Sequence, residues 1–287
     1  MINVEGLAFT YAKQHKPTLS NLSFSVADGE IFGFLGPSGS GKSTTQKLLT
    51  GMLAGHQGKA ELLGKPIEAW KSEVYQHIGV GFELPNHYEK LTARENLKVF
   101  AGLQGIKNAK PRIEEVLEQV GLLAHADQRT QEFSKGMRVR LNFARAVLHK
   151  PKLLFLDEPT SGLDPVNAKI VKDLILAERN AGATIFLTTH NMFDADALCD
   201  RVAFIVEGQL RHIGQPWAIK QEYGQARIEL TQLYNGETIK NDYPLDNLAT
   251  NQSFLTQLGQ APIQALHSQE ATLEQAFIQL TGKTLGG

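Results

Sequence analysis

Cysteine is almost missing from this chain: Cys199 stands alone in 287 residues. No internal disulfide can form, no pair of cysteines is available to ligate a metal, and a reducing compartment suits the sequence. Long hydrophobic runs are missing too. No stretch of about 18 apolar residues occurs, so no segment is expected to cross a bilayer as a helix. The opening MINVEGLAFTY lacks a basic region followed by an apolar one, and no secretory signal is read there. Neither sign of charge dominates: 29 Lys and Arg stand against 30 Asp and Glu, a net −1. That balance removes the electrostatic case for nucleic acid and for attraction to a membrane by bulk charge. Any membrane role would have to run through a partner chain.

What is present is a globular composition, with 42% apolar residues. The first thirty-five residues read as β: Ile2–Tyr11, Leu19–Val26, then the short apolar run Ile31–Leu35, expected of a strand buried on both faces. A helix is expected at Thr44–Thr50, with strands at Lys59–Leu63 and His77–Phe82. The character changes at about residues 84–150, where helical stripes replace strands. Thr92 and Glu95 form a capping box, Pro111 opens a second helix that Gly121 stops, and Met137, Leu141, Ala144 and Leu148 form a third stripe. Strand and helix then alternate: Leu153–Leu156, Pro165–Asn180, Thr184–Thr188, Asn191–Cys199, and a hairpin from Arg201 to Ile213 turning at Glu207-Gly208. This is a parallel α/β core with a helical insertion. No internal repeat is visible, so the chain holds one such unit. After about Lys220 the composition shifts toward Gln, Asn and Thr. We expect a first domain over 1–220 and a small accessory domain over 221–287, closed by an amphipathic helix through Leu273, Ala276, Phe277 and Leu280.

Gly36-Pro37-Ser38-Gly39-Ser40-Gly41-Lys42-Ser43 follows the buried strand run and precedes a helix. Glycines let backbone N–H groups close around phosphate oxygens, the helix start adds positive partial charge, Lys42 supplies a point charge to the β and γ phosphates, and Ser43 a hydroxyl to Mg²⁺. Alone, the loop implies ATP or GTP. Lys152-Leu-Leu-Phe-Leu-Asp157-Glu158 is a buried strand ending in two carboxylates. Beside a phosphate loop, Asp157 is placed to hold Mg²⁺ through water, and Glu158 is free to orient or deprotonate an attacking water. Phe133-Ser134-Lys135-Gly136-Met137 opens the third stripe helix. On local evidence Ser134 reads as an ordinary N-cap ahead of a part in a second anion site.

The order of these motifs, followed by Leu-Phe-Leu-Asp-Glu-Pro-Thr-Ser-Gly-Leu-Asp164 and Thr189-His190, resembles the ATP-binding subunits of ABC transporters over residues 1 to about 220. The resemblance implies a P-loop ATPase core with an N-terminal antiparallel β subdomain and a helical subdomain at about 84–150. It implies ATP and Mg²⁺ as cofactors, and two ATP-binding subunits, most simply two copies of this chain, paired head to tail. Each ATP would lie between Tyr11 and the loop Gly36 to Thr44 of one copy and Ser134, Lys135, Gly136 and Asp164 of the other. Tyr11 would stack on adenine, or else sit as a strand-surface tyrosine. His190 would contact the γ-phosphate. The helical subdomain would dock on a separate transmembrane permease at the cytoplasmic face of the membrane, through a groove near Phe82 to Leu91.

Three positions depart from the family pattern. Glu83 stands where a glutamine is usual, and is expected either to join Ser43 and Asp157 on Mg²⁺ or to point at solvent. Lys135 and Met137 replace a glycine and a glutamine in the signature. Together with the ending Leu273-Glu-Gln-Ala-Phe-Ile-Gln-Leu-Thr-Gly282, these variations resemble exporters of antibiotics, polysaccharides or lipids. The alternatives are a soluble ABC ATPase with a non-transport role, or a regulatory module that holds ATP without turning it over.

Overall fold

The computed structural model describes residues 1–12, 14–84, 86–234 and 236–284. In chain order the strands and α-helices are β1 Ile2–Phe9, β2 Leu19–Val26, β3 Ile31–Leu35, α1 Lys42–Leu49, β4 Gln57–Leu62, β5 Lys65–Pro66, β6 Ile78–Gly81, α2 Ala93–Leu103, α3 Lys110–Gln119 and α4 Lys135–Val147. They continue as β7 Leu153–Asp157, α5 Pro165–Asn180, β8 Thr184–Thr189, α6 Met192–Leu198, β9 Arg201–Val206, β10 Gln209–Gly214, α7 Pro216–Tyr223, β11 Arg227–Tyr234, β12 Glu237–Pro244, α8 Gln252–Leu258, β13 Ile263–Gln269 and α9 Leu273–Thr281. The chain separates into two compact units, Met1–Ile213 and Gly214–Gly287.

In the first unit, the all-apolar strands become the middle of a six-stranded sheet ordered β10-β9-β3-β8-β7-β6. Every residue of β3 and β8 is buried, as expected where both faces are covered. The pairings from β9 through β6 are parallel. Their register sets Leu35 beside Thr189 and Asp157 beside Thr188, so the three segments that leave β3, β7 and β8 emerge side by side at one sheet edge. Carboxyl ends of parallel strands are where such sheets bind ligands.

An antiparallel sheet, β2-β1-β4-β5, forms the N-terminal layer. Its alternating pattern presents Phe24 inward from β2. Phe24 stacks on Phe32 at 5.7 Å and meets Phe34 at 5.4 Å, and Phe34 and Phe155 lie 5.4 and 5.6 Å from Phe186. This aromatic cluster joins the two sheets, each pair adding ~1 kcal/mol beyond area burial. β1 ends at Phe9, two residues short of the expected Tyr11. Register shifts at Val4/Leu7 and Leu7/Phe9 end its regular pairing.

The helical insertion forms as its punctuation dictates. The Thr92–Glu95 capping box is made in full, Pro111 lies in the first turn of α3, and Gly121 follows its last turn with φ 66°. α4 begins at Lys135 with Ser134 as its cap, and buries Leu141, Phe143, Ala144 and Val147.

The second unit holds a three-stranded antiparallel sheet, β12-β11-β13, over a small core of Ile228, Leu230, Tyr243 and Phe254. α9 packs with α7 and buries Leu273, Ala276 and Phe277. The break at Ile213/Gly214 comes before α7, which belongs with this unit, whereas the composition shift used to place a boundary is felt only near residue 220. The last residues of the expected accessory domain, 285–287, lie outside the described residues, as does Pro85 in the expected groove.

Candidate nucleotide site

The phosphate loop leaves β3 and closes onto α1, which starts at Lys42, two residues earlier than Thr44, because Gly41 turns the chain in the left-handed region (φ 110°). At Gly36 a Cβ would lie 2.1 Å from the Ile205 carbonyl oxygen of β9. Only glycine lets the loop run that close to the sheet. Ser40 is buried with no hydrogen-bond partner for its hydroxyl among the described residues. A buried orphan hydroxyl in a glycine-rich loop at a helix start fits an anionic oxygen ligand.

Lys42 is buried and donates to the Gly36 and Pro37 carbonyls at 2.7 and 3.2 Å. Its ammonium lies 3.7 Å from Glu158 Oε1. Burial pulls the Lys42 pKa below its ordinary value, while the negative charges of Glu158, Asp157 and Glu83 oppose that shift. Burial leaves that ammonium poorly solvated, which favours an anionic partner such as a phosphate oxygen, in competition with the carboxylates already beside it.

Ser43 donates to Asp157 Oδ1 at 3.4 Å, and Thr188 donates to the same oxygen. The hydroxyl and carboxylate oxygens form a hard donor set that suits Mg²⁺. Glu83 is exposed, yet it lines the same cleft as Lys42 and Ser43.

Glu158 follows β7 with a left-handed backbone (φ 46°), an arrangement that costs a non-glycine residue ~1 kcal/mol. Its neighbours hold it there. Its amide donates to the Thr188 carbonyl at 2.9 Å. Oε2 accepts from Thr189 Oγ1 at 3.0 Å and from the His190 amide at 3.3 Å, and Oε1 lies 2.9 Å from His190 Nδ1. Glu158 is 9% exposed whereas the His190 side chain is 49% exposed, so the imidazole reaches out from a buried carboxylate.

Thr18, Ser38, Gly39, Gly41, Lys42, Ser43, Thr44, Glu83, Glu158 and His190 line one cleft of about 340 Å³. Tyr11 lies beyond this lining. Its ring meets Phe9 edge-on at 4.9 Å and its hydroxyl is 3.3 Å from Thr44 Oγ1. A larger cavity of about 610 Å³, lined by Arg112, Glu115, Lys150 and Glu178 among others, mixes both charges and has no phosphate loop.

Ser134, Lys135, Gly136 and Asp164 are not in the cleft; they are grouped with one another. Ser134 caps α4 by accepting from the Met137 amide at 3.2 Å. A Cβ on Gly136 would meet the Asn167 side chain at 2.5 Å, and one on Gly162 would meet Lys135 Nζ. Asp164 caps α5 and takes a 2.6 Å hydrogen bond from Asn167 Nδ2. The starts of α4 and α5 are thus one packed unit.

Sequence reading missed Thr18, Thr188 and Thr189. Thr188 and Thr189 immediately precede His190, but their roles follow from the β7–β8 register, which brings Thr188 to Asp157.

A P-loop NTPase core with a glycine-rich loop, a buried lysine and two strand-end carboxylates at one sheet edge defines the class. The comparisons narrow it. The ABC transporter family model matches residues 19–161, and a model described as the fluoroquinolone efflux ABC transporter C-terminal domain matches residues 227–270. A fluoroquinolones export ATP-binding protein of Mycobacterium tuberculosis is 46% identical over 286 residues, covering 99% of this chain and 94% of that protein. The Nod factor export ATP-binding protein I of a Rhizobium species is 35% identical, covering 94% of each. A solved structure of the ATP-binding subunit of an ABC transporter superposes with TM-score 0.70 at 28% identity, over 78% of this chain and 93% of that one. The chain belongs to the ATP-binding proteins of ABC transporters, with ATP binding and hydrolysis as the chemistry of that family.

Proposed function

We propose that this chain is the ATP-hydrolysing motor of an exporter, that two copies pair head to tail around two ATP molecules, and that the pair drives a separate transmembrane subunit at the cytoplasmic face of the membrane. No helix among the described residues is long and apolar enough to cross a membrane, which is consistent with a path for cargo in another chain. The observation that carries the reading is the convergence of Lys42, Glu158 and His190 on the cleft beside the Ser43–Asp157 contact. For cargo we propose fluoroquinolones or compounds like them. Full-length identity of 46% to an export protein of that name, and the match of the second unit to the corresponding C-terminal model, support that choice.

In the resting arrangement every oxygen of Glu158 is engaged, by Lys42, His190 and Thr189. ATP supplies new partners for both side chains: Lys42 turns to the β and γ phosphates, and His190 to the γ-phosphate. Glu158, freed from those contacts, accepts a proton from the attacking water as the water oxygen bonds the γ-phosphorus and the bond to the ADP oxygen breaks. Ser43 and Asp157, with Glu83 at the rim, would hold Mg²⁺, which would neutralise charge on the phosphate oxygens. Tyr11 takes the adenine. Ser134, Lys135, Gly136 and Asp164, remote from their own cleft, serve the site of the second copy, where Ser134 and Gly136 meet its γ-phosphate.

The test is Glu158→Gln in the full chain purified with its membrane subunit. Expected are loss of ATP turnover by ~10²-fold or more, retained ATP binding, and an ATP-dependent dimer on size exclusion. Near-normal turnover without a trapped dimer would refute the role of Glu158. Fluoroquinolone accumulation in inverted vesicles carrying the complex reports cargo, and no ATP-dependent uptake rejects it.

A further inference from the structure

Asp194 is a buried carboxylate outside the cleft, on the first turn of α6, and it collects three donors. Thr160 Oγ1 reaches Oδ2 at 2.6 Å, Asn191 Nδ2 reaches the same oxygen at 3.0 Å, and Lys172 Nζ from α5 reaches Oδ1 at 2.9 Å. A buried aspartate costs stability unless it is paired and hydrogen-bonded, and this one is both. Its partners come from the two segments that carry Glu158 and His190. Thr160 is two residues past Glu158, and Asn191 is the residue after His190.

The contacts close a ring. The Asn191 amide donates to Thr189 Oγ1 at 3.0 Å, and Thr189 Oγ1 donates to Glu158 Oε2 at 3.0 Å. From Asn191 the side chain runs to Asp194, from Asp194 to Thr160, and from Thr160 the backbone returns through Pro159 to Glu158. The loop is tightened by the Ser161 amide on the Glu158 carbonyl at 3.1 Å. Glu158 sits in the left-handed region, where an unsupported glutamate would relax away. Asn191 caps α6 by accepting from the Phe193 and Asp194 amides, and Met192 is buried in its first turn.

We infer that Asp194 is a positioning residue for hydrolysis: through Thr160 and Asn191 it locks the Glu158 loop to the His190 segment and holds the two in hydrogen-bonding distance. It touches neither nucleotide nor water. The inference rests on the reading of Glu158 and His190 as the hydrolytic pair.

The experiment compares Thr160→Val, Thr160→Ser and Asp194→Asn with the unaltered chain, each purified with the membrane subunit, by steady-state ATPase and fluorescent-nucleotide binding. T160V removes one donor and keeps the shape. Its kcat is expected to fall ~10-fold or more, since sub-ångström misplacement of reacting groups is costly, with KM for ATP within ~2-fold, the pattern of a loss confined to the transition state. T160S, which keeps the hydroxyl, restores kcat. D194N exchanges one acceptor oxygen for an amide and follows T160V, which keeps the test decisive if T160V does not fold. Unchanged kcat in the folded variants overturns the inference, as does a loss of nucleotide binding that matches the loss of turnover. Glu158→Gln runs alongside. Normal turnover in E158Q refutes the underlying reading, whereas normal turnover in T160V beside an inactive E158Q refutes the role of Asp194 alone.

Discussion

Gly36→Ala is the sharpest test of how the phosphate loop is built. The added methyl would lie 2.1 Å from the Ile205 carbonyl oxygen and 2.8 Å from Ser40 Oγ. Restoring the 3.0 Å floor for such contacts needs a displacement of about 0.9 Å, and the obstacle is backbone, not a flexible side chain. Ile205 belongs to β9, which is paired along β3, so the sheet cannot yield without breaking ladder bonds. The loop must move instead. Overpacking of this kind destabilises by ~1–3 kcal/mol, a fall in melting temperature of ~2–4 °C per kcal/mol for a unit of this size. Displacing the loop also misaims its N–H groups. Losing two such bonds at ~1–1.5 kcal/mol each weakens ATP binding ~30–150-fold. Gly39→Ala is the control. Gly39 has no atom within 4 Å of its Cβ position but a φ of +75°, so it carries the left-handed penalty of ~1 kcal/mol without the clash. Calorimetric titration with ATP and thermal melts on both variants decide the matter. If G36A binds ATP within threefold of the parent, or G39A is the worse of the two, the steric argument is wrong.

Two further outcomes follow from other parts of the first unit. His87 and His149 are held below their ordinary pKa, chiefly by burial, and their Nε2 atoms lie 2.8 and 3.0 Å from the carbonyls of Arg138 and Ile78. The unfolded chain therefore binds more protons than the folded one once pH drops below about 6.5, and stability is expected to fall from there toward lower pH. Urea midpoints between pH 7.5 and 5.5 measure this; His149→Gln should flatten the slope, and a midpoint that is constant over the range counts against the assignment. Glu83→Gln is expected to leave metal-free ATP binding unchanged and to raise the Mg²⁺ concentration for half-maximal turnover ~3-fold or more, because an anionic oxygen near the metal position is lost. Superimposable Mg²⁺ titrations would return Glu83 to a solvent-facing role.

Most of the core of the first unit was legible because its signals are local. Ile31–Leu35, Leu19–Val26 and Pro165–Asn180 match their expected bounds, since a continuous apolar run, a period-two run and a proline-opened stripe each specify one element without help from the rest of the chain. The boundaries that moved are those set by tertiary contact. α1 starts early because Gly41 can take a left-handed turn against Leu19 and Ile205, a fact about packing that no helix propensity contains. The second unit was less legible: β13 is exposed along nearly its whole length, so it carries almost no burial period to read.

The same division runs through the site. Lys42, Ser43, Asp157 and Glu158 stood out because their residue types lie at fixed offsets from strand ends, where a parallel sheet gathers ligand-binding groups, and His190 through the family resemblance; the structure sets Lys42, Ser43, Glu158 and His190 on one cleft. What could not be read is the support beneath them. Asp194 sits 36 residues after Glu158 in sequence, Lys172 sits on another helix, and Thr188 reaches Asp157 only through strand register. None has a motif, because a hydrogen-bonding partner is specified by position in space and any donor of the right reach would serve. The signature residues invert that relation. Ser134, Lys135 and Gly136 have a motif, yet within one chain they do no more than cap and pack the starts of α4 and α5. Under the proposed function those residues serve the ATP of a second copy, an assignment that rests on the family resemblance of the motif and is compatible with their position outside their own cleft.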